Sequence, residues 1–282
     1  MKYLDLYEGY LEKRKYILKR YKDAMVMLDK DEVISYIKEH CSEWLNNPHI
    51  IHRGIYEDYD YFYSKPVKRA SRDNTNFYTI LMDRWKGYPK RSNSFCCSSN
   101  DPEYGVYNYY VIPEDGSKWA VAPTTDIWNS FDLGIFNISS DHDIHYLFNR
   151  IKSISINLNI DIKDDNYKVF KKGINELETV ISGMTNTAYR VFIHEYRYDD
   201  NLSSSILNIL RNGNLFETIE KIVSPDNFKL FDWNQLVDYV KHGTVNHEVW
   251  TDSECIFIAD TSKNRKLLKE NFSNIKYFQT RF

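Results

Sequence analysis

Glycine is scarce in this chain: ten residues out of 282. None of them builds a GxGxxG or a GxxxxGK[ST] loop, so a glycine-rich phosphate cradle is excluded. GxSxG, HExxH and the EF-hand loop are missing too, which removes the serine-hydrolase elbow, the zincin helix and the calcium loop. Cysteine is scarcer still. Cys41, Cys96, Cys97 and Cys255 contain no CxxC spacing and are too few for a disulfide framework, which favours a reducing, cytoplasmic setting. No stretch approaches the roughly 18–20 apolar residues of a membrane span. The opening "MKYLDLYEGYLEKRKYILKRYKD" also lacks the uninterrupted apolar core of a signal peptide. Positive charge is not in excess: 37 Lys and Arg against 40 Asp and Glu leave a formal net charge of −3. A global electrostatic footprint for nucleic acid is therefore absent.

What is present is a globular composition, 42% hydrophobic and 27% charged, with length for one large domain or two small ones. The 23 tyrosines supply rings for a core or for stacking. Apolar residues at helical spacing predict one helix through Leu4, Tyr7, Leu11, Leu18 and Tyr21, and a second from about Asp31 to Asn46, stopped by "NNP". Residues 50–55 read as an inner strand, 56–76 as a long polar and aromatic loop, and 76–86 as a helix. A strand is expected over 92–99, then two strands within 104–123 joined by the turn "PEDG". Helices follow over 143–154, 165–184, 203–223 and 234–242, with a strand "YRVFIHEY" at 189–196 among them. Strands at 247–250 and 255–260, a helix "TSKNRKLLKENF" and a short strand "IKYFQT" complete the pattern. Strand-rich and helical blocks are segregated rather than alternating, which makes the fold class α+β.

Five local features bear on chemistry. "IIHRGI" (50–55) places Arg53 in an apolar strand, and a guanidinium that cannot lose its proton needs an anion there. "RSNSFCCSSN" (91–100) is a strand of small residues ending in Ser98 and Ser99. "NHEVW" (246–250) carries Glu248 into a strand. The stretch 65–94 gathers Lys65, Lys68, Arg69, Arg72, Lys86, Lys90 and Arg91 around Trp85 and Tyr88; it is either a solvated loop or a grip on single-stranded nucleic acid. "DHDIH" (141–145) has metal-ligand residue types but reads as an ordinary polar helix start, so no metal is expected.

In chain order, Arg53, the serine strand and Glu248 resemble the Arg–Ser–Glu pattern of the ADP-ribosyltransferases. The similarity covers roughly 50–131 and 240–282. It implies a split β-sandwich core over 49–282, preceded by an N-terminal helical segment (1–48) and interrupted by a helical insertion at about 140–240. It further implies that NAD is the substrate and that Glu248, Arg53 and Ser98 are the catalytic residues. Arg53, Gly54, Ser98, Ser99 and Tyr104 would bind NAD, with Tyr104 or Tyr107 near the nicotinamide. The sequence departs from the pattern at Cys97, where the family has its first serine, and at Asn246, where it has a glutamate that helps select the acceptor. Asn246 makes an arginine acceptor less expected.

The implied activity is mono-ADP-ribosylation of a macromolecule, protein or RNA/DNA, by a bacterial or phage toxin or effector. A toxin acting in its own cell would need an antitoxin or inhibitor protein. The alternatives are a non-catalytic binding protein, such as a pseudoenzyme or a host-factor binder, and a nucleic-acid module centred on 65–94.

Overall fold

The computed structural model describes residues 23–68, 76–100, 107–136, 144–163, 165–196, 201–243 and 245–272. The chain divides into two compact units. One comprises Met1–Ala70, Tyr88–Thr125 and Phe228–Phe282, the other Ser71–Gly87 and Asp126–Asn227. Helices and antiparallel strands occupy separate blocks of the chain, so the fold is α+β.

The first unit is built on a sheet. Its strands among the described residues are β1 (Met25–Met27), β2 (His52–Ile55), β3 (Tyr61–Ser64), β4 (Phe95–Ser98), β5 (Tyr107–Pro113), β6 (Lys118–Val121), β7 (Lys229–Asp232), β8 (Glu248–Thr251) and β9 (Cys255–Ala259). They lie in the order β1-β3-β9-β5-β2-β4-β8-β6-β7, and every paired neighbour is antiparallel. β9, "CIFIA", is apolar at every position and buried along its length, as a central strand covered on both faces must be. The helix Trp233–Lys241 packs on β6 and β7, and the helix Lys30–His40 on β3.

The sheet is creased. β2 pairs with β5 over four residues but with β4 only through His52↔Ser98. In a flat sheet β4 and β9 would stand three strand spacings apart, roughly 14 Å. Instead the rings of Phe95 on β4 and Phe257 on β9 lie 4.9 Å apart, edge to face. Phe257 also stacks on Phe62 at 4.7 Å, and Phe62 meets Tyr109 at 5.3 Å. The two halves of the sheet thus close on a shared aromatic core, with the fold line between β2 and β4.

The second unit is helical: Asn76–Met82, Ile144–Asn157, Tyr167–Gly183, Asn186–Tyr196, Asn201–Arg211 and Leu215–Ile222. Each long helix buries one apolar stripe, as Phe170, Ile174, Leu177 and Ile181 do in Tyr167–Gly183. Phe77 stacks on Phe170 at 4.9 Å and meets Phe148 at 5.3 Å. Among the described residues no helix is long and apolar enough to cross a membrane.

Several expected elements differ. The run 189–196 is helical, within Asn186–Tyr196. A run this short does not separate strand from helix by period, and Thr185 accepts the Ala188 N–H at 3.2 Å as a cap at the helix start. The supposed loop 56–76 contains β3, whose aromatic residues pair with β9. "PEDG" does turn, with Gly116 at φ 76°, but β5 and β6 do not form a hairpin. β5 goes to β9 and β2, β6 to β8 and β7. The turn is held elsewhere, because Asp115 accepts from Ser42 Oγ at 2.6 Å and from the Glu43 N–H at 2.7 Å. The helix expected over 31–46 breaks at Cys41, and that expected over 203–223 breaks at Gly213, whose φ of 71° favours glycine.

The helical unit draws on 71–87 as well as 126–227, where the expected insertion was about 140–240. Trp233–Lys241 belongs with the sheet unit. Within the expected N-terminal helical segment, Met25–Met27 is a strand of the sheet. The first expected helix and the strand "IKYFQT" lie outside the described residues.

Phe257→Ala removes the ring shared by both halves of the sheet. It is expected to cost about 3–5 kcal/mol in urea unfolding; a loss below about 1 kcal/mol would contradict the creased packing.

Candidate active site

β4 and β8 pair so that Ser98 stands opposite Glu248. Ser98 also faces His52 on β2, and His52 faces Tyr110 on β5. Register partners share a face of a sheet, so Tyr110, His52, Ser98 and Glu248 form a row across four adjacent strands. At one end of the row the Tyr110 hydroxyl donates to Asp260 and accepts from Arg265 Nε at 3.0 Å. Burial, helped by Asp260, pushes that phenol well above its usual range.

At the other end, Arg91 Nη2 donates to Glu248 Oε1. Arg91 is only 3% exposed, and its guanidinium lies 5.4 Å from the Trp250 ring centroid. It opens the 3-10 turn Arg91–Asn93, where Ser94 Oγ donates to its carbonyl at 3.0 Å. In the sequence Arg91 counts only as one more cation of the 65–94 stretch. The signal that could have separated it is its place just ahead of the serine strand.

Asn246 is knitted into the same corner. Its side-chain oxygen accepts from Ser98 Oγ at 2.8 Å, from the Asn100 N–H at 3.1 Å and from Ser99 Oγ at 3.4 Å. Ser99 is fully buried, and its hydroxyl also accepts from the His247 N–H at 2.8 Å and Asn100 Nδ2 at 3.2 Å. One donor and two acceptor sites are all a hydroxyl has, so Ser99 is spent on the fold. The ends of β4 and β8 are therefore tied by side chains as well as by the backbone ladder.

Arg53 lies one residue beyond the row, on the opposite face of β2. Its guanidinium sits 5.5 Å from the Phe95 ring centroid, and Phe95 is on the face of β4 away from Ser98. Nη1 donates to the Cys96 carbonyl at 2.8 Å. That carbonyl lies on β4 beyond the single bridge at Ser98, so the arginine reaches an acceptor that β2 no longer supplies with a backbone N–H. Arg53 is half-buried, and among the described residues no carboxylate forms an ion pair with it. Gly54 pairs with Asn108. Tyr107 is 49% exposed, and Tyr104 lies outside the described residues.

The structure thus brings Ser98, Ser99, Asn246 and Glu248 together, with Arg53 on the opposite face of the neighbouring strand β2. Among the described residues of the basic, aromatic stretch, several side chains serve the fold. Trp85 is buried and donates Nε1–H to the Val223 carbonyl at 3.0 Å. The Tyr88 hydroxyl donates to the Phe228 carbonyl at 3.2 Å, Lys65 pairs with Glu254 at 2.6 Å, and Arg91 serves Glu248. Arg69 and Arg72 lie outside the described residues, as do Asp141, His142 and Asp143. His145 stacks on Trp128 with ring centroids 5.1 Å apart.

His49 supports the serine corner from outside, its Nε2 lying 3.2 Å from the Ser99 carbonyl, so that nitrogen carries the proton. Burial pulls the imidazole from 6.5 down to about 4, with Lys241 and His52 adding to the shift and the Ser99 hydrogen bond opposing it. The unfolded chain therefore takes up a proton that the fold refuses. This contribution to stability is complete above pH 6.5 and is lost as pH falls toward 4. Between those limits His49→Gln is expected to lose about 3 kcal/mol less unfolding free energy than the wild type; superimposable pH profiles would show that His49 does not titrate this way. No family model, no curated protein and no solved structure matches this chain.

Proposed function

We propose that this chain is an NAD-dependent mono-ADP-ribosyltransferase acting on a macromolecular acceptor, as a bacterial or phage toxin or effector. One observation carries the reading: Ser98 and Glu248, remote in sequence, are register partners at the crease, and Arg53 reaches the Cys96 carbonyl of β4 there from the opposite face of β2. A creased antiparallel core supports the split sandwich that the ADP-ribosyltransferase resemblance implies.

The substrate NAD supplies a nicotinamide–ribose bond whose cleavage builds positive charge on the sugar, as in glycoside hydrolysis. Glu248, half-buried with one oxygen anchored, is the carboxylate suited to face that charge and to accept from ribose hydroxyls. Ser98, fixed through Asn246, is suited to orient the nicotinamide end. Arg53 suits the diphosphate: a half-buried guanidinium with no carboxylate pair among the described residues fits a polyanion. Asn246 is engaged with Ser98, Ser99 and Asn100, so it bears on acceptor choice through the shape of this corner.

A second reading, a non-catalytic binding protein, draws support from the Arg91–Glu248 ion pair, since a carboxylate held by a buried arginine can serve the fold alone.

Labelled NAD incubated with the full chain and a bacterial lysate separates the two readings, and protease against ribonuclease treatment identifies the acceptor class. Glu248→Gln is expected to lower transfer by roughly 10²–10³-fold while NAD affinity changes only a few-fold. Arg53→Ala is expected to raise the KM for NAD. Wild-type turnover in Glu248→Gln, or no label and no nicotinamide release from the wild type, would leave the binding-protein reading in its place.

A further inference from the structure

We infer that Arg91 is a positioning residue for Glu248, setting the orientation of the carboxylate that the transferase reading puts against the ribose; the inference rests on that reading. Three observations converge on it. The Arg91 guanidinium is nearly inaccessible, and its Nη2 is on Glu248 Oε1. It is itself immobilised, since Trp250, two residues along the same strand as Glu248, offers its ring to the cation, and Ser94 holds the Arg91 carbonyl. Finally, the residue it grips is the register partner of Ser98, which Asn246 holds independently at 2.8 Å. Each member of the Ser98–Glu248 pair is thus fixed by a side chain from outside the pair.

A buried ion pair is a poor way to gain stability. The cost of desolvating two charges offsets most of their attraction, and apolar residues of similar volume often serve as well or better. What such a pair supplies is orientation. A planar guanidinium held beside a ring directs its N–H at a carboxylate oxygen along a defined line, which a flexible ammonium does not. Misplacing a reacting group by about 1 Å can cost on the order of 10²-fold in rate. Arg91 therefore acts through the glutamate, and its loss belongs in kcat rather than in NAD affinity.

Arg91→Met leaves a half-buried carboxylate without its cation and is expected to destabilise the fold, so Arg91→Lys carries the test. Lysine keeps the charge and the apolar stem but loses the planar fork. Nicotinamide release from NAD by the full chain is measured alongside thermal unfolding. Arg211→Lys serves as the structural comparator, because Arg211 Nη1 donates to the Ile181, Ser182 and Met184 carbonyls in the helical unit. Arg91→Lys is expected to lower kcat by roughly 30-fold with KM for NAD within about threefold, whereas Arg211→Lys shifts the melting temperature and leaves kcat per folded molecule unchanged. An unchanged kcat in Arg91→Lys, a change confined to KM, or a fall explained by the unfolded fraction would overturn the role of Arg91 alone. A wild type that releases no nicotinamide would overturn it together with the transferase reading.

Discussion

The crease between β2 and β4 depends on a contact between two rings. Phe95 and Phe257 belong to strands that a flat sheet would keep well apart, yet they meet edge to face, with Phe62 stacked on the far side. Burying these aromatic faces against each other recovers apolar area that neither half of the sheet could cover alone. In exchange, β2 and β4 share one bridge. The backbone groups beyond it must find other partners, and the Cys96 carbonyl finds the Arg53 guanidinium. The arginine at the end of an apolar strand is thus accounted for locally.

From that fold line the polar architecture follows. His52, Ser98 and Glu248 stand in one row because antiparallel pairing puts register partners on a common face. Polar groups brought together at a buried strand end need partners, and several here supply one another's. Asn246 takes three donors, Ser99 uses its whole hydroxyl, and His49 and His247 hold backbone carbonyls. Arg91 and Glu248 form the charged edge of this network.

The α+β class, the order of strand-rich and helical blocks and most long helices were legible in the chain, because amphipathic periods of 3.6 survive in a linear reading. Two short aromatic runs were not. "YRVFIHEY" is a helix with a cap at its start, and "YFYS" became a strand through its partner β9. Both outcomes depend on neighbours that local composition does not name. Ser98, Glu248 and Arg53 could be singled out by residue type and order, whereas Arg91 could not, since in one dimension it is indistinguishable from the cations around it.

The sequence by itself determined the periodicities, the caps, the absence of glycine-rich and metal-binding loops, and the candidate residues for chemistry. Only the tertiary structure decided that Ser98 faces Glu248, that Arg53 reaches across the crease from the other face of its strand, and that Arg91 is spent on a carboxylate. The physical reason is the period of two in a strand. Shifting a register by a single residue exchanges every side chain between the faces, and Phe95, on the same strand as Ser98, packs against Phe257 from a strand remote in sequence.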